Sequence, residues 1–354
     1  PIALQNLINL AAEVLHEIPE KEKLAALMEV LENCYETIFN IAEDKKDYFA
    51  LLEIAKNKEL GILSVAALKA ALSLAEEAKQ PFNLKQEVAK LAISLTHESE
   101  KQSLRQAYAI IGRRALLAVI KHSRERREQA LAAIDLWRLG FHADSIDAFE
   151  KIAVKLDVED NAQLTIDLAF MHLSLDRGKE ALAYFKRAKA LLSPRQDKVS
   201  LSLLKLIDTE MKAVKENAPP PDMVIGKNAF FSSRQLRAVI ILYSRWFKDD
   251  LKTSQQAIDE LTRAQGYIID VKAKAGAEGN VPTFSLNTKT IIGIDVRGNK
   301  KTKLDVIFKE LEFGKIKQGV VFNREKIDAA LIEMNKRLQS FGKVDWEIEE
   351  TESG

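Results

Sequence analysis

Apolar residues recur every three or four positions through most of the first 217 residues. Leu24, Leu27, Val30 and Leu31 are one example, a spacing that puts a hydrophobic stripe on a helix. The stripes predict helices over 4–16, 22–40, 64–79, 84–95 and 103–120, with breaks at Pro19, Gly61 and Pro81. Ala, Leu, Glu and Lys dominate these stretches, and all four are strong helix formers. From 127 to 194 the helices become periodic. Gly140 is followed by Ser145, Phe149 and Ile152, and Ala181, Phe185 and Ala188 take the same three places 36 residues on, before Ser193-Pro194. Pro219-Pro220-Pro221 then ends the helical pattern, because three prolines favour a stiff extended spacer.

Beyond the prolines one pattern is written twice. In the second copy an apolar run, 291–296, stops at Arg297-Gly298-Asn299, where Gly and Asn tolerate a turn. Thr302 offers an N-cap for a helix carrying Val306, Phe308 and Leu311. Gly319 ends the connection, and Phe322-Asn323 opens a helix with Ile327, Leu331, Met334 and Leu338. Gly342 stops it. Val344, Trp346 and Ile348 then alternate with Asp345, Glu347 and Glu349, the mark of a strand with one wet face. The first copy is fainter. Val224 and Ile225 precede Gly226-Lys227-Asn228, and Ser232 or Ser233 caps a helix with Leu236, Val239, Ile240 and Tyr243. Ser254 starts another with Ile258 and Leu261, and Gly266-Tyr267 ends it. Ile268, Ile269, Asp270 and Val271 begin a strand, and 283–287 a third strand.

Two resemblances follow. The 127–194 spacing is similar to tetratricopeptide repeats, whose period is about 34 residues; Gly140, Phe149, Ala181, Phe185 and Ala188 are its packing positions. The doubled pattern resembles the POTRA domain, the polypeptide-transport-associated repeat. Its matching positions include Gly298, Asn299, Gly319, Phe322 and Gly342 in one copy and Gly226, Asn228 and Gly266 in the other. The expected fold is therefore multidomain: an all-α, TPR-like solenoid over 1–217, a linker over 218–221, and two small α+β (β-α-α-β-β) units over 222–289 and 290–354. The second unit lacks its last strand. The expectation is that the protein continues past Gly354 into that strand and a barrel, or that a neighbouring molecule supplies it.

The POTRA resemblance implies a place in the outer-membrane protein assembly and two-partner secretion superfamily (BamA-like and TamA-like proteins). It implies residence at the periplasmic face of a bacterial outer membrane, with unfolded or extended client polypeptides and accessory subunits as partners. It also implies strand addition at the edges Ile268, Ile269, Asp270 and Val271, and Val344, Asp345, Trp346, Glu347 and Ile348. The concave side of a solenoid would recruit partners. The alternative reading is a TPR scaffold, cytoplasmic or periplasmic, with no barrel.

Composition narrows the chemistry. Among 354 residues, 47% are hydrophobic and 30% charged, with a net charge of +1, so no overall basicity points to nucleic acid. Cys34 is the only cysteine, which excludes an intrachain disulfide and any multi-Cys metal site. His16, His97, His122, His142 and His172 are scattered, and His97-Glu98 lacks the second His of a metalloprotease motif. Gly226 and Gly298 lack the further residues of a phosphate loop. The expectation is a binding protein with no catalytic site, cofactor, metal or small-molecule substrate.

Overall fold

The computed structural model describes residues 21–77, 82–99, 102–216, 224–225, 230–275, 282–296 and 303–337. It divides into two compact units, Pro1–Ser123 and Arg124–Gly354. The first carries α1 (Lys21–Asp44), α2 (Tyr48–Lys56), α3 (Ile62–Glu77), α4 (Phe82–Glu98) and α5 (Gln102–His122). The helix expected over 4–16 lies outside the described residues. Helices α2 and α3 pack as a pair, as do α4 and α5. Ala67, Ala71 and Ala75, four apart on α3, are fully buried, and side chains this small let neighbouring helices approach closely. The buried Ser64 hydroxyl donates to the Ala55 carbonyl (2.6 Å) and accepts from the Tyr108 hydroxyl (2.9 Å), tying α2, α3 and α5 together.

The second unit begins with further stacked pairs: α6 (Arg126–Arg138) with α7 (His142–Ala153), and α8 (Val158–Ser174) with α9 (Gly178–Leu192), followed by α10 (Lys198–Glu216). Gly140 turns the chain after α6 with a φ of 86°. A buried serine recurs here: Ser145 donates to the Ala133 carbonyl at 2.6 Å, pinning α7 to α6. Phe149, Ala181, Phe185 and Ala188 are buried, and the Phe185 ring stands edge-on to Phe170 of α8 at 5.5 Å.

A small α+β segment follows. Its first part contains β1 (Val224–Ile225), α11 (Ser233–Trp246), α12 (Leu251–Ala264), β2 (Ile269–Lys274) and β3 (Thr283–Thr288). The sheet order is β1-β3-β2, with β1 parallel and β2 antiparallel to β3. A capping box between Ser232 and Gln235 starts α11. Helix α12 starts before the predicted Ser254: Asp250 is its N-cap and accepts the Thr253 N–H at 2.7 Å, and Ser254 lies inside the helix. The final part has α13 (Leu304–Phe313) and α14 (Arg324–Arg337) over a core of Ile307, Leu311, Ile316, Phe322, Ile327, Leu331 and Met334.

Three expectations for this last part change. Residues 291–296 do not form a regular strand; Thr290 bridges Val321, and Ile291 bonds to Val320. Helix α13 has Lys303, not Thr302, at its N-cap position, with no side-chain cap bond. Ile307 and Leu311 face the core, while Val306 and Phe308 are exposed. The turns holding Gly226, Asn228, Gly298 and Asn299, and the strand expected from Val344, lie outside the described residues.

A half-buried histidine with a sheltered ring nitrogen is expected to make the helix pairs acid-sensitive. The His142 ring lies 4.3 Å from the Trp137 ring, and its Nε2 is buried without a hydrogen-bond partner. Burial, helped by the nearby Arg177 charge, pushes His142 down to about 4. His172, stacked on Tyr184, is lowered by the same two causes in the same order, against the raising influence of Glu180 and Glu150. A histidine held neutral in the folded state contributes stability above its unfolded pKa of about 6.5, and that stability is lost as pH falls from there toward 4. Urea denaturation followed at pH 7.5 and 4.5 should show a loss of about 2–3 kcal/mol from His142 alone, and His142→Gln should recover most of it.

Candidate functional site

Helix α11 is buried nearly all round. Gln235, Leu236, Arg237, Ala238, Val239, Ile240, Leu242 and Tyr243 are all buried, so the helix has neighbours on both faces. One neighbour is α12. The other is α8. The first helices of the pairs, α6 and α8, and α10 after them, all touch α11 or α12. Asp167 on α8 accepts from Arg245 and from Trp246 Nε1 (3.1 Å). Arg138 on α6 grips Glu260 of α12 with two bonds of 2.8 Å, and the Tyr243 hydroxyl donates to the same carboxylate at 2.5 Å. Arg237 pairs with Glu210 of α10, and Arg234 reaches the Ala213 carbonyl at 3.1 Å. Phe149 meets the Trp246 ring edge-on at 5.7 Å. Over 126–216 the helix face to which a solenoid reading assigns partners is therefore covered by α11 and α12 of the same chain.

These charges are sheltered, and their pairing offsets the cost. Burial pushes the Asp167 carboxyl up, while the Arg245 charge and the bonds from Arg245 and Trp246 hold it down. Burial first, then the Glu260 charge, raises Tyr243 well above the usual phenol range, so it stays a donor. For Arg138, burial disfavours the charge, but the Glu260 bonds and charge outweigh it and raise its pKa.

The second feature is the open edge of β2. In the described sheet β2 pairs with β3 alone, in the register Ile269↔Thr288, Val271↔Leu286 and Ala273↔Phe284. The Lys289 N–H donates to the Ile268 carbonyl at 3.1 Å, one step along the same register. Antiparallel pairs alternate between bonded and non-bonded, so Asp270, Lys272 and Lys274 turn their backbone groups toward β3. Ile269, Val271 and Ala273 turn theirs toward the open side. The side chains alternate too: Ile269 and Val271 are buried under α12, while Asp270, Lys272 and Lys274 are exposed.

The third feature is a junction. Strand β3 runs without a linker into 289–291, which pairs with 319–322: Phe322 N–H donates to Lys289 (2.9 Å), Ile291 N–H to Val320 (2.9 Å), and Gly319 N–H to Ile291 (2.7 Å). Arg324 N–H donates to the Gly266 carbonyl at 2.6 Å, and Asn323 Nδ2 to Gln265 at 3.2 Å. Ile268 is one of the expected edge residues, yet its side chain belongs to the core of Ile307, Phe322 and Leu331. It is a hinge pin between the two parts, and the edge consists of Ile269 onward. Gly266, with φ 85°, leaves room that a Cβ would fill only 2.9 Å from the Glu325 nitrogen. Val344, Asp345, Trp346, Glu347, Ile348 and Gly342 lie outside the described residues.

Residues 289–353 match the POTRA family, described as a surface antigen variable number repeat. No curated protein matches the chain. One POTRA domain thus follows a largely helical N-terminal region, and its first matched residue is the Lys289 that bonds back to Ile268. Among the described residues no helix is long and apolar enough to cross a membrane, and no group of side chains could hold a metal ion.

Two expected outcomes follow for urea denaturation. Glu260→Ala should cost about 3 kcal/mol, because it takes the carboxylate from a sheltered guanidinium and from the Tyr243 hydroxyl and leaves Arg138 its 3.1 Å pair with Asp135, whereas removing the exposed partner Glu53, which pairs with Lys56, should cost under about 1 kcal/mol. Gly319→Ala should cost about 1–2 kcal/mol, the price of a left-handed backbone with open space around it. Gly266→Ala carries the same strain plus the backbone collision and should cost clearly more.

Proposed function

We propose that this chain is the periplasmic portion of an outer-membrane protein assembly or translocation factor, in which the sheet edge at β2 guides client polypeptides by strand addition. The observation that carries the reading is the POTRA match at 289–353, joined without a linker to a β-α-α-β-β unit with an open edge strand. That unit, 224–288, has the element order expected of a second POTRA, and we read it as one. The helix pairs of 126–216 resemble tetratricopeptide repeats in spacing. Their role in this reading is to carry the α+β unit, since α11 already occupies the face that a peptide would enter. A barrel beyond Gly354, accessory subunits as further partners, and a binding rather than catalytic role complete the proposal.

Strand addition suits this task energetically. Ile269, Val271 and Ala273 present a short row of backbone groups, and each new hydrogen bond contributes about 0.5–1.5 kcal/mol net. The total is a few kcal/mol before the cost of association is subtracted. Binding of that strength is nearly blind to sequence and easily reversed.

Amide hydrogen exchange on the whole chain tests the proposal. Adding an excess of a peptide copied from an outer-membrane barrel strand should slow exchange at Ile269, Val271 and Ala273 by at least several-fold, with Asp270 and Lys272 unchanged. Equal exchange with and without peptide would sink strand addition at this edge.

A further inference from the structure

One of the outward-facing backbone groups of β2 is already taken. Gln255 Nε2 donates to the Val271 carbonyl at 2.6 Å. Gln255 lies on α12, is exposed, and sits little more than a turn from the Asp250 cap that fixes the start of the helix. The contact independently supports the alternation derived from the Lys289 bond, because it places the Val271 carbonyl on the side away from β3. A primary amide offered to a strand carbonyl is chemically what the N–H of an added strand would offer.

Charge singles out the occupant. On the wet side of β2, Asp270 is matched by Lys289 at 3.4 Å, and Lys272 and Lys274, both exposed, are the other charged side chains that β2 carries. An added strand places alternate side chains beside these lysines and the others level with buried Ile269 and Val271. Carboxylates suit the first set and apolar groups the second.

We infer that β2 selects extended segments alternating apolar and acidic residues, and that Gln255 holds the Val271 carbonyl until such a segment displaces it. The inference rests on the strand-addition reading above. Val271 is the middle residue of the three, so a strand spanning the edge must take this carbonyl from Gln255. The displaced amide returns to water, which keeps the exchange nearly balanced. Between clients, the same contact blunts an edge that would otherwise pair with any exposed strand.

The test uses the whole chain, a fluorescein-labelled peptide of sequence Val-Glu-Val-Thr-Val-Glu-Val-Thr, and the same peptide with Lys for Glu. Wild type is compared with Gln255→Ala and Gln255→Met, exposed-site changes that keep helix propensity and remove the donor. Fluorescence anisotropy gives affinity, and amide exchange locates the peptide. Expected results are acidic-peptide binding tighter by about 2- to 10-fold in both variants, the worth of one recovered hydrogen bond, and weaker binding of the lysine peptide throughout. Protection at Ile269, Val271 and Ala273 with equal affinity in all three proteins would overturn the Gln255 role and leave strand addition standing. Equal affinity for the acidic and basic peptides would overturn the charge preference. Absence of protection along β2 in every protein would overturn strand addition and this inference with it.

Discussion

The burial of α11 between the helix pairs and α12 is the constraint on which the rest of the Arg124–Gly354 unit depends. A helix with apolar groups on both faces cannot rest on one partner. Its polar members, Arg237 and Arg245, then have to bring carboxylates with them, and they find Glu210 and Asp167 on two different helices of the stack. Glu260 closes the circuit from α12 to Arg138. Pairs so sheltered add little net stability over apolar contacts, but breaking one is costly. They therefore act chiefly to admit one orientation of the α+β segment on the helices.

That orientation determines which surfaces remain for partners. Among the described residues the face of α6, α8 and α10 is covered by α11 and α12, and the sheet contributes a six-residue strand with one flank unpaired. Gln255 shields the centre of that flank, and lysines border it, two common ways of keeping an edge from indiscriminate pairing. The same groups that guard the edge define the kind of strand that suits it.

Much of this was legible in the pattern of apolar residues. Helical periodicity placed α1, α3, α4 and α5 to within a few residues but gave no range for α2, and Gly266, Ser232 and the 283–287 run marked real ends and strands. The misses share a cause. Ile268 reads as the first residue of an edge strand, yet it packs across the junction, because a strand's neighbours are set by a segment more than forty positions away. The run 291–296 is as apolar as a strand, but periodicity says nothing about whether a partner lies alongside. Asp250 outcompeted Ser254 as a cap with an equally ordinary sequence signal. The ion pairs of Arg138, Asp167 and Glu260 were invisible for another reason. A charge on a helix looks solvated until the opposing charge, 122 residues away in one case, is known to face it. Gln255 carried no signal, since an exposed glutamine is ordinary on a helix surface.

The absence of a linker at Lys289 limits how such units can multiply. Side chains in a strand alternate with a period of two, so one residue added between Thr288 and Ile291 would swing Ile291 off the core and shift the pairing of 289–291 with 319–322. Insertions here are tolerable only in pairs, and even a pair would pull Ile268 out of the neighbouring core. The joint at Lys289 has in effect a frame, like a codon, and tolerates change in the loops on either side more readily than in its own length.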